Sequence, residues 1–462
     1  MISTNNCSDK IIVIGGGLSG PVLALYLAKK GFSVDVFEKR PDLRNASASA
    51  GRSINLALSK RGITALEEVG IFDQIKPSLI PMYGRRIHDL NGDTRFLQYS
   101  GTGKNFIYSV SRSGLNKTLI TEAENTGKVA FHFQHECVGV DITQGVVTFL
   151  KKDTGEKLKR TNLPVIGTDG AGSVVRKFLS EDGFVSDSLD PLNHAYKELS
   201  IPPGESGQFI LDSNALHIWP RDEFMLIALP NLDKSFTVTL FLPEKGKITF
   251  ETIQSESDLL SFFQNMFPDV ISIIPDLVTD FFKNPTGKLG TIQCSPWHAK
   301  DKAVLIGDAA HAIVPFFGQG MNASFEDCTI FNRWMDSTEN WGDLFLKFSN
   351  ERKLDADAIG KMALENYIEM RGLVNQNIFL QKKELERELE MTYPDRFVSR
   401  YSMVSFHQIP YSVVKERGII QEKILSTFSS NNSSISMENY KEIKKIIFEE
   451  LTPLDQLQYS WK

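Results

Sequence analysis

The chain has 462 residues, enough for two or three domains rather than one. Hydrophobic residues make up 41 % of it and the net charge is −6, so a large core is possible and no basic excess exists for nucleic acid. The four cysteines are far apart, with no CxxC pair or nearby histidine cluster, which argues against a metal site or disulfides and favours a cytoplasmic protein.

The first predicted elements are a strand, a glycine-rich turn, a helix and a second strand over residues 11–40. An apolar run precedes Gly15, Gly17 and Gly20, which fit GxGxxG, and the second strand ends at Glu38. Glycines let the backbone approach a pyrophosphate, and an acid at this distance suits a ribose hydroxyl. The order of these parts predicts a dinucleotide-binding unit.

Two later segments also run from a strand end into glycine and aspartate. Residues 165–179 contain Asp169 followed by Arg176 at helical spacing, and residues 304–322 contain Asp308 before a Pro/Gly-rich turn. Taken alone, either segment could be an ordinary strand–loop–helix turn. A carboxylate beside closely approaching backbone N–H groups can also hold a sugar-phosphate.

Together, in this order and spacing, the three segments resemble the fingerprints of group A flavoprotein monooxygenases, the FAD hydroxylases similar to p-hydroxybenzoate hydroxylase. The resemblance implies an α/β fold: a Rossmann-like FAD-binding domain, an inserted antiparallel-sheet substrate domain and a C-terminal helical region. The expected boundaries are 1–182 and 290–345 for the FAD domain, with 81–104 contributing to the substrate site, 183–289 for the sheet domain and 346–462 for the capping helices.

Further segments, above all HIWP (217–220) and ENYIEM (365–370), resemble the kynurenine 3-monooxygenase family. This resemblance covers nearly the whole chain. It implies NADPH-dependent hydroxylation of L-kynurenine at ring position 3, giving 3-hydroxykynurenine through a flavin hydroperoxide. FAD would be bound non-covalently, NADPH would be a transient reductant without a domain of its own, and O2 would be the co-substrate.

L-Kynurenine requires an apolar slot for its ring and a cation for its carboxylate. The resemblance assigns the cation to Arg85, and the next residue is Arg86. Adjacent side chains on a strand face opposite ways, and the family register predicts that Arg85 points into the site. For Phe236, a plain core position is nearly as plausible as ring contact. The expected substrate-binding residues are Arg85, Tyr99, Asn366, Met370, Tyr401, Phe236 and Phe316.

The resemblance also implies the cofactor contacts, with Glu38 on the adenosine ribose and a helix near Gly320 directing its positive end at the flavin. His311 is expected to make a structural hydrogen bond. No catalytic residue is expected, because the aniline nitrogen of kynurenine itself activates the ring. The expected FAD-binding residues are Gly15, Gly17, Leu18, Gly20, Glu38, Arg40, Arg52, Leu56, Arg112, Asp169, Asp308, Pro315, Gly318, Gly320, Met321 and Asn322.

Two alternatives stay open. The first is a hydroxylase of another aromatic acid, such as anthranilate or salicylate. The second is a flavin-binding NADPH oxidase or interaction protein. Tyr99, Asn366 and Tyr401 argue against both. No transmembrane anchor is expected, and a peripheral membrane contact by the last helix stays open.

Overall fold

The structure, a computed structural model, describes residues 11–45, 55–100, 103–161, 164–372, 377–429 and 436–460. Arg52, expected near the flavin, lies outside the described residues. The strands in chain order are β1 Ile11–Ile14, β2 Val34–Glu38, β3 Asn55–Leu58, β4 Ile80–Met82, β5 Gly84–His88, β6 Thr94–Gln98, β7 Ile107–Ser111, β8 Val129–Phe133, β9 His135–Asp141, β10 Val146–Lys151, β11 Lys157–Arg160, β12 Val165–Gly167, β13 Ser186–Ile201, β14 Ala215–Arg221, β15 Phe224–Pro230, β16 Phe236–Pro243, β17 Gly287–Ser295, β18 His298–Ala299 and β19 Ala303–Leu305.

Helices connect and cover these strands. They are α1 Ser19–Lys29, α2 Lys60–Val69, α3 Phe72–Ile75, α4 Arg112–Asn125, α5 Val174–Glu181, α6 Glu256–Met266, α7 Pro268–Ile271, α8 Leu277–Lys283, α9 Asp308–His311, α10 Gly320–Met335, α11 Trp341–Arg371, α12 Asn377–Thr392, α13 Arg400–Phe406, α14 Tyr411–Phe428 and α15 Met437–Glu450, with short 3₁₀ turns at Lys76–Ser78, Pro315–Phe317 and Leu454–Gln456.

The first sheet is mainly parallel, in the order β18-β19-β12-β1-β2-β8, with only β18 antiparallel. β1, β2 and β12 are buried along their whole length, as expected for a parallel sheet covered on both faces. Because parallel strands end at one edge, Gly15, Glu38, Asp169 and Asp308 meet there. The three glycine-containing segments therefore converge although they are far apart in the chain.

The second large sheet has the order β17-β13-β16-β15-β14-β5-β6 and is antiparallel except between β14 and β5. Its strands β14, β15 and β16 lie within residues 183–289, where the sheet domain was expected. Residues 84–98 add β5 and β6 to one edge. One face packs on α6, α7 and α8 through a core containing Trp219, Phe263 and Phe281. The expected inserted sheet is confirmed.

The C-terminal third is helical, as predicted. α11 runs for 31 residues. Tyr367 and Met370 of α11, together with Met403 of α13 and Tyr411 of α14, join the core cluster that contains Phe316. α12, α14 and α15 form a separate core cluster around Leu389, Ile424 and Ile447. None of the helices in the described ranges combines the length and apolar character needed to cross a bilayer.

Gly20 is the point where α1 packs most closely on the first glycine turn. A Cβ atom there would lie 2.0 Å from the Gly15 carbonyl oxygen and 2.9 Å from Thr168 Oγ1. Thr168 Oγ1 itself donates to that carbonyl at 2.9 Å. Gly15 has a φ of +109°, which side chains rarely tolerate. The turn has no room to move away from α1.

Gly20→Ala should destabilise the apoprotein by at least about 1–3 kcal/mol, because the methyl group overlaps backbone. Urea unfolding of the apoprotein measures this. Gly17→Ala is the matched control, since a Cβ atom at Gly17 would meet nothing within 4 Å. The control should stay within about 0.5 kcal/mol of wild type. Equal stability of the two variants would show that α1 does not approach the turn this closely.

Candidate active site

A cavity of about 610 Å³ lies between the carboxyl edge of the parallel sheet, the second sheet and helices α11 and α13. One end is lined by expected FAD-binding residues and the other by expected substrate-binding residues. From the first group they are Gly15, Gly17, Leu18, Glu38, Arg40, Leu56, Arg112, Asp169, Asp308, Pro315, Gly318, Gly320 and Met321; from the second they are Arg85, Phe316, Met370 and Tyr401.

At the far end of β2, the Glu38 carboxylate is held in a fixed orientation. Its Oε2 accepts from the Gly16 N–H at 2.8 Å, and its Oε1 accepts from the Arg40 N–H at 2.9 Å and from Arg40 Nε at 2.8 Å. Burial opposes ionisation, but the hydrogen bonds and charge of Arg40 outweigh it and lower the pKa of Glu38. An oriented carboxylate at this position suits a ribose hydroxyl.

Between the strand ends, the cavity wall consists of open backbone. A Cβ atom on Gly17, Gly170 or Gly172 would meet nothing within 4 Å, and all three glycines line the cavity. Asp169 caps the start of α5: it accepts from Ser173 Oγ at 2.6 Å and from the Val174 N–H at 2.7 Å. Burial raises the pKa of Asp169. A smooth backbone cradle of this kind fits the phosphate groups of FAD.

Asp308 and α10 form the next part of the wall. The Asp308 carboxylate lies at the start of α9, and burial raises its pKa. The buried Arg176 ties this segment to the second motif, donating to the carbonyls of Ala309 and Ala171, each at 2.7 Å, and to Asp187 at 2.9 Å. Arg176 is therefore structural rather than solvated. Gly320 begins the 16-residue α10, so the positive end of its dipole faces the cavity.

At the opposite end, Arg85 is the buried cation. Its guanidinium carbon lies 4.7 Å from the ring centroid of Tyr401, and Nη1 lies 3.7 Å from Glu369 Oε1. Arg85 Nε is buried without a hydrogen-bond partner among the described residues. Arg86 points to the other face of β5, where it pairs with Asp212 at 2.8 Å. Arg85 lines the cavity, so an anion there would meet its guanidinium group.

Two expected substrate residues lie behind the cavity wall rather than on it. Tyr99 stacks on Tyr401 with ring centroids 4.9 Å apart, and burial raises its pKa well above the usual range, so the phenol stays neutral. Asn366 Nδ2 donates to the Phe316 carbonyl at 2.6 Å and lies 3.2 Å from Met370 Sδ. Asn366 thus holds the turn that carries Phe316.

The ring-contact expectation for Phe236 is wrong. Side chains alternate along a strand, so Thr237, Thr239 and Phe241 of β16 face the cavity, whereas Phe236 faces α6–α8 and is fully buried there. Phe241 is the aromatic residue that sequence reasoning missed, and its ring centroid lies 5.0 Å from that of Phe316. The alternation of side chains along β16 places Phe241 on the face opposite to Phe236. Leu216, Met225 and Ile227 line the same slot and were also missed.

Two expected FAD residues have structural side-chain roles. Asn322 Nδ2 donates to the carbonyls of Ala57 and Gly318, each at 2.8 Å, and its Oδ1 accepts from the Ser59 N–H at 2.9 Å. It does not line the cavity and joins the turn before α10 to the end of β3. Gly20 likewise serves the packing of α1 and does not reach the cavity. Contact between these two residues and the cofactor stays a prediction.

A buried ionic network lies behind Asp308. Glu326 and Asp327 of α10 share Arg352 of α11, with contacts of 3.1 and 2.9 Å, and Glu326 also pairs with Arg61 of α2. Asp327 Oδ2 contacts His311 Nε2 at 2.5 Å and accepts from the Gly307 N–H at 3.1 Å. Burial opposes charge on His311, but Asp327 outweighs it and raises the pKa of the imidazole. The bond expected for His311 is present.

Comparisons with known proteins show similarity over most of the chain. The model of the FAD binding domain family matches residues 9–241 and 264–351. The kynurenine 3-monooxygenase of Myxococcus xanthus is 42 % identical over 96 % of both chains, and that of Cytophaga hutchinsonii is 47 % identical over 90 % of this chain and 93 % of the relative. That of Dictyostelium discoideum is 41 % identical over 93 % and 95 %.

Solved structures share the fold at low sequence identity. A 2-methyl-3-hydroxypyridine-5-carboxylic acid oxygenase has a TM-score of 0.64 at 19 % identity, covering 79 % of this chain and 93 % of that one. A probable FAD-dependent monooxygenase from Pseudomonas aeruginosa has a TM-score of 0.63 at 17 % identity, covering 79 % and 96 %. The matching family model thus defines an FAD-binding protein, and its fold is that of these oxygenases. The chain belongs to the kynurenine 3-monooxygenase family.

Arg352→Met should destabilise the protein by about 3–5 kcal/mol, because it leaves Glu326 and Asp327 buried without their shared cation. The adjacent Lys353→Met is the matched control. Lys353 makes only a part-exposed pair with Asp357 on α11, so its loss should change stability by less than about 0.5 kcal/mol. Urea unfolding of both variants compares them, and equal losses would contradict the role given to the buried network.

Proposed function

We propose that the protein hydroxylates L-kynurenine at ring position 3, using FAD, NADPH and O2. The observation that carries this proposal is the buried Arg85, whose Nε is free and whose Nη1 faces Glu369 at 3.7 Å, at the end of an apolar slot. A zwitterionic α-amino acid presents one anion and one cation, and this pair of side chains matches both.

The substrate would lie with its carboxylate on Arg85 and its α-ammonium toward Glu369. Arginine suits a carboxylate because its fork of donors binds both oxygens. The aromatic ring would occupy the slot lined by Leu216, Met225, Ile227, Phe241 and Phe316. An anthranilate or salicylate hydroxylase would have no use for the acid at Glu369, so the slot favours an amino acid over those alternatives.

FAD would lie along the remainder of the cavity. Glu38 would hold the adenosine ribose, the open glycine backbone would face the pyrophosphate, and the start of α10 would face the flavin ring. Pro315 and Phe316 would separate the flavin from the substrate slot. When bound and reduced by NADPH, FAD activates O2 and supplies the oxygen atom that is transferred.

The chain's own residues have to orient the ring and exclude water. The aniline nitrogen of kynurenine donates electron density to the carbon beside it, so a protein base is not needed to activate the ring. Water exclusion matters because a wet site releases peroxide instead of product. α11 and α13, which supply Met370 and Tyr401, close the slot from the side opposite the sheet.

The decisive experiment measures NADPH consumption by the FAD-loaded protein with L-kynurenine while 3-hydroxykynurenine is quantified. We expect NADPH use and product to rise together. Oxidation of NADPH that yields peroxide alone would favour the oxidase alternative. Turnover of anthranilate or salicylate without turnover of kynurenine would favour the aromatic-acid alternative.

Arg85→Ala should weaken kynurenine binding by about 2–5 kcal/mol, because the carboxylate would lose a buried charge partner. Arg86→Ala is the matched control, since Arg86 lies on the opposite face of β5. Titration of the flavin absorbance with kynurenine gives both dissociation constants. A larger loss in Arg86→Ala would mean that the strand register at the site is reversed.

Glu369→Gln should raise the dissociation constant for kynurenine about 10- to 100-fold, since a charge-assisted contact to the α-ammonium is lost. The deaminated analogue, which has the same ring and carboxylate, should lose much less. Comparing the two ligands in one variant separates loss of the ammonium contact from displacement of Arg85, which would weaken both equally.

A further inference from the structure

The HIWP segment (217–220) lies on β14, directly after the cavity-lining Leu216, and does not itself line the cavity. Leu216 and Ile218 of β14 face the side of the sheet that carries the slot, whereas His217 and Trp219 face the opposite side. His217 is 1 % exposed and Trp219 is fully buried. Nothing in the hydroxylation chemistry uses these two side chains.

His217 instead belongs to a buried polar chain that crosses from β14 to β5 and on to α7. His217 Nδ1 lies 2.8 Å from His88 Nε2, and His88 Nδ1 lies 3.2 Å from Asp269 Oδ2. At the other end, His217 Nε2 lies 2.8 Å from the Asp212 carbonyl oxygen. Trp219 Nε1 donates to Asp269 Oδ2 at 2.7 Å.

These contacts determine how many protons the chain holds. A carbonyl oxygen only accepts, so His217 Nε2 must carry a proton. The contact between the two rings needs a second proton, and the contact to Asp269 needs a third. Hydrogen bonds from His88 and Trp219 outweigh burial and lower the pKa of Asp269, so the third proton lies on His88 and the carboxylate is ionised.

The two imidazoles therefore hold three protons and share one positive charge, which the Asp269 carboxylate balances. Burial lowers the pKa of His217 to about 4, which opposes a positive charge on that ring. The other charged groups around the pair are Arg86 and Asp212, which pair with each other, and Arg221, which donates to the His88 carbonyl at 3.1 Å.

The pair joins the two strands that hold the substrate end of the cavity. β5 and β14 are the one parallel pair in the described part of this sheet, with Arg85 opposite Leu216 and Arg86 opposite His217. His88 lies three residues after Arg85, and its ring stacks on Trp219 at 4.0 Å. A shift of β5 against β14 would move Arg85 relative to the slot.

We propose that His88 and His217 are positioning residues for Arg85: by sharing one excess proton, anchored by Asp269, they fix β5 on β14 and hold the guanidinium at the substrate end of the slot. This rests on the proposed function, in which Arg85 binds the substrate carboxylate. Loss of the shared proton leaves one of the two contacts of His88, either to His217 or to Asp269, without a hydrogen atom between its two heavy atoms.

The proposal predicts that substrate affinity depends on pH. Below about pH 4, His217 would take up a further proton, so the arrangement requires a higher pH. The arrangement also needs three protons, so it is lost when alkaline pH removes one of them. Affinity for the substrate carboxylate should therefore fall on the alkaline side.

The test titrates the FAD-loaded protein with kynurenine between about pH 6 and about pH 8.5. In Asp269→Asn, the neutral amide no longer supports the shared charge. The dissociation constant of this variant for kynurenine at neutral pH should be raised about tenfold over wild type and should vary little with pH. His217→Gln should behave similarly. His298→Gln is the control, because His298 lies on the short β18 at the edge of the other sheet and should follow wild type throughout.

A purely structural role would lower the stability of Asp269→Asn while leaving its affinity and pH profile those of wild type, and that result would overturn the proposal. Nitrogen NMR of ¹⁵N-histidine-labelled wild-type protein gives a second readout that needs no variant. We expect one imidazolium coupled to one neutral imidazole at neutral pH, and two neutral rings would also overturn it. Absence of kynurenine binding by wild type at any pH would instead count against the proposed function.

Discussion

The rest of the structure depends on one interaction: arginines from other helices pair with two buried acidic residues of α10. Glu326 and Asp327 are buried almost completely, and each needs a cation. Arg352 serves both, and Arg61 serves Glu326. Charges in a low-dielectric interior are tolerated only when they are paired, so these contacts fix the distances among α2, α10 and α11.

The same buried ion pairs also position residues at both ends of the cavity. Through the Gly307 N–H and His311, Asp327 sets the position of the loop that presents Asp308. Through Arg352, the same acid is tied to α11, which carries Asn366 and Met370 toward the substrate slot. The nucleotide end and the substrate end are therefore built on one helix, and a displacement of α10 would disturb both.

The two faces of the second sheet have different roles, because side chains alternate between the faces along each strand. Its inner face supplies an apolar slot and one cation, whereas its outer face packs on α6–α8 and holds the histidine pair. Arg85 and His88 lie on the same strand but on opposite faces, so the substrate end depends on polar groups that no substrate touches. This arrangement lets a short segment such as residues 217–220 mark the family without lining the cavity.

The sequence by itself determined the dinucleotide-binding unit, the inserted sheet and the helical C-terminal region. The evidence for them is local: apolar periodicity, the spacing of Gly15 and Gly17 with Glu38, and the position of Asp308 after a strand. Such patterns can be recognised without knowing which distant residues they contact. Arg85 and Tyr401, which line one cavity in the structure, were expected from the family resemblance and not from any local pattern. The resemblance to the family could supply these residues because it aligned whole segments.

Only the tertiary structure decided which face each side chain takes and what it meets there. Phe236 and Phe241 are both aromatic residues of β16, and the parity of the strand against the core separates them. Glu369 meets Arg85 only because α11 lies across β5, and His88 meets His217 only because β5 pairs with β14. Contacts between residues far apart in the chain depend on how elements pack, and no local pattern contains that information.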